Sequence, residues 1–600
     1  TTGNLHIQFG NFNWQRDTVS LIHDIHIRSL LDSLLEIDIP LITWKYEKDS
    51  TDIHALYRHL QYLRLDSPHI VIQQETVNPL SSTHRRDRIP VHSMQIDSVH
   101  IQHGMVAFMR YDSLRPAQPD LQIRYVADGW IHKLDIVENP SEKRFNIQHL
   151  YTDLQDLHVQ AYHRSTQREH QTTANADHMQ LSASDFAYQP STHHWQAFID
   201  SCAFHDLEIS NDTYQIRSSG KLYAFHLSNP HAESFMDHAI AASPHHKLHL
   251  YSIAYQNPKL IFRGWNATYQ ADRQLLEIDS VHIHPVKSRE DFIKQLQTQK
   301  DYVQFYSHQW KLQHFEPLSW VRDRMIVADT FDVYHPVVYV YRDKRLPLDV
   351  QQIKPLPSEV PDRLPFKLNI DQWNIHQGFA SYTEISAQTG QPGTVWFNDI
   401  DAHISPVISD IHQHTFDTAN AYLQIFATGR LMNQPLIRLN YVESRYSPLH
   451  LFSLHVQSSP FAFNLFNPIL ESWFHARVIS GNITSADMQA KGNMYMMLGS
   501  MNLYYDQLKI SLNREKDSTG KKLYSGFENF MANLVLRSEN YHRTGLVFYR
   551  RNPHLSFFNY WVKGVESGIG SSIMGNKWNR AYRHHYKKLI REHPAYKQGL

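Results

Sequence analysis

The feature that most constrains this chain is alternation. Short runs set apolar and polar side chains turn about, which is the period of a β-strand, whose successive side chains point to opposite faces. The clearest runs lie between Trp310 and Asp401. There Val337, Tyr339 and Tyr341 fall on one face and Val338, Val340 and Arg342 on the other. Residues 5–14 and 19–27 carry the same pattern near the start. With 42% hydrophobic and 12% aromatic residues there is enough apolar material for one covered face, so the chain is not disordered.

Two phrases recur. A proline precedes an apolar strand at Pro40, Pro68, Pro258 and Pro336, where the missing N–H is tolerated at a strand start. The second phrase is IDSVHI at 96–101 and 278–283, and IDQWNI at 370–375. Two copies continue alike, Ile101 through Gly104 to Phe108 and Ile375 through Gly378 to Tyr382, and the glycine is read as the positive-φ residue of a tight hairpin. The spacings between copies are uneven, so this is a meander with a repeated idiom and not a fixed-period solenoid.

Other stretches are shorter. Leu30–Leu35 is read as a brief helical turn, and His163–His178 and Asn229–His246 as loops. Residues 288–299 have helical spacing with Ser288 as N-cap. Residues 346–365 hold five prolines and read as a stiff hinge. Phe463–Trp473 is an apolar turn or short helix. The expected organisation is therefore an N-terminal β half over 1–345, a hinge over 346–365, a C-terminal β half over 366–554, and a tail over 555–600 that is aromatic, then basic and helical.

Composition excludes several functions. Lys and Arg (58) nearly balance Asp and Glu (59), so no global charge favours nucleic acid. One cysteine, Cys202, rules out an intrachain disulfide. No run of about 18 apolar residues crosses a membrane as a helix. The chain opens on Thr1 and directly on strand-like sequence, which reads as a processed or truncated product. GxSxG, P-loop and dinucleotide fingerprints are missing. Asp399 and Asp401 read as turn residues and Glu384 as a polar rim residue. The 42 histidines fall in close pairs such as His282 and His284 or His412 and His414, but no HExxH is present and no carboxylate or cysteine recurs at ligand spacing. They read as polar strand residues. No metal, cofactor or enzymatic activity is expected.

A set of phrases over 310–570 resembles the AsmA-like branch of the AsmA/TamB superfamily in its Bacteroidetes-type versions. They are Tyr339–Arg345 followed by Pro347, Leu364–Asp371 leading through Gly378 to Tyr382–Glu384, and Gly393–Ile400. Ser480-Gly481, Gly499–Leu508, Phe530–Asn533, Phe558–Trp561 and Gly568-Ile569 follow in order. Residues 1–310 share only the style. The resemblance implies a bridge-like lipid-transfer protein: a twisted β-groove in the periplasm, held to the inner membrane by an N-terminal helix that this chain lacks, and carrying phospholipid in outer-membrane biogenesis. It brings no catalytic residues.

The expected fold is mainly β, a long twisted antiparallel sheet curled into an apolar groove, with few short helices and one at the C-terminus. About 35–40 strands at ~4.8 Å would extend roughly 170–190 Å. Groove-facing candidates are Ile96, Val99, Ile101, Val106 and Phe108 in one copy of the idiom, and Ile370, Trp373, Ile375 and Tyr382 in the other. Lys577, Trp578, Arg580, Arg583, Lys587 and Lys588 are candidates for contact with anionic headgroups, with Tyr582 and Tyr586 at the interface. The expected partners are phospholipids and envelope assembly proteins, bound by a monomer. The rival function is strand addition, in which an open sheet edge takes up nascent outer-membrane strands.

Overall fold

The structure, a computed structural model, describes residues 5–13, 19–29, 33–46, 59–76, 92–112, 119–139, 142–164, 169–189, 194–228, 235–410, 420–474, 476–512, 537–574 and 576–598. It is mainly β, one mixed sheet of 29 strands with a few short helices. The chain divides into two compact units, Thr1–Ile278 and Asp279–Leu600.

In the first unit β1 (Leu5–Gln8), β2 (Phe12–Asn13), β3 (Ser20–Ser29), β4 (Ser33–Tyr46), β5 (His59–Asp66) and β6 (His69–Thr76) precede the longest strands. These are β7 (His92–Asp112), β8 (Pro119–Asn139), β9 (Glu142–Arg164), β10 (Glu169–Gln189), β11 (His194–Ser210) and β12 (Gln215–Ser228). Helix α1 (Phe235–Ala241), β13 (Lys247–Gln256) and β14 (Leu260–Gln270) follow, and β15 (Leu275–Pro285) carries the unit boundary. From β7 to β14 each strand pairs antiparallel with the next. Strands of up to 23 residues, longer than the idiom suggests, explain why 29 are described where 35–40 were expected.

The second unit continues with α2 (Arg289–Lys294), β16 (Tyr302–Ser307), β17 (Gln309–Gln313), α3 (Pro317–Asp323), β18 (Met325–Tyr334) and β19 (Val337–Asp343). Then come β20 (Lys367–Ile385), β21 (Pro392–Ser405), β22 (Val407–Ile408), β23 (Tyr422–Leu431), β24 (Leu436–Ser444), β25 (Phe452–Ser458) and β26 (Phe461–Ala462). Helix α4 (Asn467–Phe474), β27 (Ala476–Gly492), β28 (Met496–Leu512), β29 (Thr544–Arg550), α5 (Phe557–Ile573) and the basic α6 (Asn576–Glu592) complete it. Ser288 caps α2 as expected, its hydroxyl accepting from Asp291 N.

The sheet is mixed, not purely antiparallel, because one arrangement occurs twice. In the first copy β5 and β6 are a single line broken at Ser67-Pro68. β4 runs antiparallel to both pieces and β7 parallel to both. In the second copy β18 and β19 are broken at His335-Pro336, with β17 and β16 antiparallel and β20 parallel. The junctions match bond for bond. Ser67 N donates to Gln102 O at 2.8 Å and Met105 N to Pro68 O at 2.7 Å; His335 N donates to His376 O at 2.8 Å and Phe379 N to Pro336 O at 2.7 Å. Proline marks the break because it has no N–H to give a ladder. Pro258 is different: it lies in the β13–β14 turn, closed by Asn257 Oδ1 accepting from Lys259 N and Leu260 N.

The idiom's glycines are not hairpin residues. Each lies inside a continuous strand, and the positive φ falls on the residue before it, His103 at 51° and Gln377 at 53°. Those residues form bulges, and an aspartate of the next strand takes each exposed amide, Asp128 Oδ1 at 2.7 Å and Asp401 Oδ1 at 3.1 Å. Glycine follows because space is short. A Cβ at 104 would stand 2.8 Å from Ile101 Cγ2, and one at 378 would stand 3.2 Å from both Ile375 Cγ2 and Pro336 Cγ.

A parallel neighbour needs a crossover connection. In the second copy the proline-spaced segment, expected to be a hinge, is the crossover. It lies within the second unit and is fastened there: Leu356 is fully buried, Lys354 N donates to Pro553 O, and Ser358 donates to Glu443 through both N and Oγ. In the first copy the crossover, residues 77–91, is outside the described residues.

Three further readings change. The loop expected over 163–178 is strand at both ends, with His163 and Arg164 closing β9 and Glu169 opening β10, while 165–168 lie outside the described residues. Asn229–His246 contains α1, whose Ala239 is fully buried; 229–234 are outside the described residues. The turn expected at Leu30–Leu35 has become strand from Ser33, with 30–32 outside the described residues. Asp399 and Asp401 sit in β21, where Asp399 is itself a bulge residue at φ 51°.

The last strand is closed on its free side. The outward amides of β29, Leu546 N and Phe548 N, donate to Ser571 Oγ at 2.7 Å and Ser567 Oγ at 3.0 Å on α5. Gly564 and Gly568 let the helix lie this close, against Met497, Met501 and Val547.

Candidate functional site

Cross-strand register turns the alternation into rows. In the first unit one row reads Phe108, Ile123, Val159, Ala174, Ile209, Ile216, Tyr255 and Phe262 from β7 to β14. Every member is apolar or aromatic. One residue along, the six inner members of the row, Gln122, Gln160, Thr173, Ser210, Gln215 and Gln256, are all polar, with Met109 and Ile261 at its two ends. These are the two faces of one sheet.

Three more rows lie beside the first on the apolar face. One runs Gly104, Ala127, Leu154, Met179, Phe204, Gly220, Leu250, Ala267; the next Ile101, Gly129, Thr152, Leu181, Cys202, Leu222, Leu248, Tyr269; the third Val99, Ile131, Leu150, Ala183, Ile199, Phe225. Strict alternation would not hold them on one face over 20 residues. Bulges do it: Asp156, Asp206, Ala224 and Asn266, all at positive φ, each add the odd residue that brings the next apolar side chain back.

The rows differ in cover. Val99, Ala183, Ile199 and Phe225 are buried, with α1 over the last three, and Ile96, Leu134 and Ile147 close a core beside Val99. In the rows through Ile101, Gly104 and Phe108 most of the large side chains are half-buried, touching their neighbours but open above. Eight strands at ~4.8 Å make this open strip about 34 Å long, roughly twice one hydrocarbon leaflet. Cys202 sits in its middle between Leu181 and Leu222, and burial pushes its thiol pKa up.

The candidates from the idiom therefore separate. Ile96 and Val99 belong to the closed core, whereas Ile101, Val106 and Phe108 lie on the open strip. Leu181, Phe204, Leu222 and Leu250, which complete the strip, carry no repeated phrase, and only their register reveals them.

In the second unit a row runs Leu312, Phe331, Trp373, Ile404, Ile425, Tyr441, Leu454, Ala490, Gly499, Val547. From Tyr441 onward it is closed by α5 and the crossover: Trp561 lies 4.8 Å from the Tyr441 ring, and Leu356 joins the same core. Ile370 is buried, while Trp373 and Ile375 are half-buried over β20. Tyr382 is half-buried and donates to Glu384 Oε2 at 2.7 Å, and burial drives its pKa well up. Glu384 is itself buried and paired with Lys344 at 2.7 Å, so it is not a rim residue.

The histidines stand on strands, several facing an aspartate across the ladder: His59–Asp97 at 2.9 Å, His376–Asp332 at 2.9 Å, His455–Asp487 at 3.2 Å. Among the described residues no group of three or more metal-ligating side chains converges, and no helix is long and apolar enough to cross a membrane. His412 and His414 lie outside the described residues. On α6, Arg580, Arg583, Lys587 and Lys588 are exposed. Tyr586 packs on Phe548 with Leu589, so that side of the helix is occupied by the protein itself. The side chains of Lys577, Trp578 and Tyr582, and residues 530–533, lie outside the described residues.

No protein-family model and no curated protein sequence matches the chain.

Proposed function

We propose that the chain is a non-enzymatic lipid-binding protein that holds hydrocarbon along the open strip of its first unit and serves phospholipid transfer between the membranes of a cell envelope. The observation that carries this reading is the set of adjacent apolar rows crossing up to eight strands, while the next row along is polar on its six inner strands. Each methylene fully buried on such a surface gains about 0.8 kcal/mol, and one laid on it with its other side in water gains part of that. The chemistry repeats at every strand, so a chain moves along it without leaving an apolar environment. The AsmA-like resemblance supports the same role, with attachment to an inner membrane and residence in the periplasm as its further terms. The exposed basic face of α6 suits anionic headgroups by peripheral attraction.

Cys202 makes the test site-specific, since it is the only thiol. Purified chain is extracted, reloaded with phospholipid vesicles, and alkylated with a maleimide, with native mass spectrometry reporting bound lipid. Lipid should co-purify and slow alkylation at least tenfold, and Asp at Ile101, Phe108, Leu181 or Leu222 should abolish both. A folded, lipid-free chain whose Cys202 reacts equally with and without vesicles would sink the proposal.

One observation favours strand addition. Among the described residues β1 and β2 pair only with β3, and Ile7, Phe9 and Phe12 there are more than half exposed. At β29 the α5 serines occupy the corresponding amides, which leaves that edge unsuited to a strand.

A further inference from the structure

The polar face of the second unit carries a furrow across β20, β21, β23, β24 and β25, enclosing about 550 Å³. Two cross-strand rows wall it. One is His403, Phe426, Asn440 and His455; the other includes His376, Thr428, Arg438 and Gln457. The backbone of Ile375, Ala402, Ala427 and Leu439 forms the floor between them. Five strands span about 19 Å.

The walls are partly committed and partly free. His376 holds Asp332, His455 and Gln457 hold Asp487, and His403 holds Asn374 at 2.8 Å. Arg438 and Asn440 are exposed and make no hydrogen bond or ion pair among the described residues. Phe426 is 43% exposed, with Asn440 its direct neighbour; Tyr422, four residues back on the same face of β23, lies outside the furrow. An exposed aromatic ring flanked by unpaired planar donors presents an apolar face and hydrogen bonds together. That pairing matches a sugar ring, which has C–H groups on one face and hydroxyls around its rim. An anion fits less well, because Asp401 lines the same furrow as its one uncommitted guanidinium, Arg438.

We propose that this furrow binds a neutral oligosaccharide, Phe426 stacking on a sugar ring and Arg438, Asn440 and Thr428 taking its hydroxyls. It lies on the opposite face of the second unit's sheet from that unit's own apolar row, and it stands independently of the lipid reading.

The test is titration of the full chain with cellohexaose, maltohexaose and chitohexaose, followed by calorimetry and by amide spectra of β23 and β24. Saturable binding of at least one is expected. Phe426→Ala and Arg438→Ala should each weaken it tenfold or more with an unchanged circular dichroism spectrum, since both side chains are exposed. Tyr422→Ala, on β23 but outside the furrow, should leave it unchanged. Absence of saturable binding up to about 10 mM, a Kd beyond any useful affinity, overturns the proposal. So does binding that survives both furrow variants, or that is lost equally in Tyr422→Ala.

Discussion

Replacing the two serines that cover β29 isolates what a helix does for a sheet edge. Ser571 is fully buried, and its Oγ accepts from Leu546 N at 2.7 Å while donating to Asn579 Oδ1 at 2.7 Å. Ser567 is half-buried, and its Oγ accepts from Phe548 N at 3.0 Å. A buried amide left without an acceptor costs about 1–3 kcal/mol, the upper end where water is excluded. Ser571→Ala should therefore cost about 3 kcal/mol and Ser567→Ala about 1, together about 4 kcal/mol. Amide hydrogen exchange reads this locally. At 1.4 kcal/mol per decade the double variant should exchange roughly 10³-fold faster at Leu546 and Phe548. Ser556→Ala is the control: it removes the N-cap of α5, whose hydroxyl accepts from Asn559 N, and touches no edge amide. It should cost about 1 kcal/mol and leave the difference between the two edge amides intact. Unchanged exchange in the double variant, or the same pattern in Ser556→Ala, would refute the account of α5 as an edge cover.

Gly104→Ala places a methyl 2.8 Å from Ile101 Cγ2, closer than Gly378→Ala comes to any atom (3.2 Å), so thermal unfolding should show the first as the more destabilising, by about 1–3 kcal/mol against less for the second. His450 is held protonated above its usual pH by a hydrogen bond to buried Glu443, with Glu359 adding attraction. The folded pKa is raised, so this contribution is complete below the unfolded value near 6.5 and is lost as pH rises through the folded one. Exchange at Leu356–Glu359 should thus quicken on the alkaline side in the parent and be pH-independent, after base-catalysis correction, in His450→Gln. Burial raises the Cys202 thiol, so its alkylation at pH 8 should lag that of a free thiol, and Leu222→Ala, which opens its row, should speed it severalfold.

The alternating side chains announced a sheet because the long strands set apolar residues on one face and polar residues on the other. What they hid was the continuity of those faces. Asp156, Asp185 and Asp206 look like ordinary polar residues of a strand or turn, yet each adopts the left-handed conformation that aspartate tolerates and resets the phase of a strand of 17 or more residues. Read without them, β9 to β11 break into short strands and loops. The parallel seams were equally hidden, since the proline phrases identify where a line breaks but not which neighbour runs beside it. Ile101 and Phe108 were found because their phrase repeats. Leu181, Phe204 and Leu222 were not, because membership of a row is a property of pairing between strands. The crossover looked like a hinge because prolines stiffen both; burial of Leu356 is set by Tyr441 and Trp561, far away in the chain.

The two parallel seams also bear on how the chain reaches its native state. From β7 to β14 most neighbours are joined by only a few residues, so those ladders zip from local contacts within microseconds to milliseconds. Joining β5 to β7 instead pairs His59 with Gln95, and joining β18 to β20 pairs Met325 with Lys367, each closing a loop of some forty residues before a single ladder bond forms. Loop entropy makes these the late events of assembly. Until they form, β4 with β5–β6, and β16 and β17 with β18–β19, are hairpins with one bare flank, and it is there that a newly made chain is most exposed to pairing with another copy of itself.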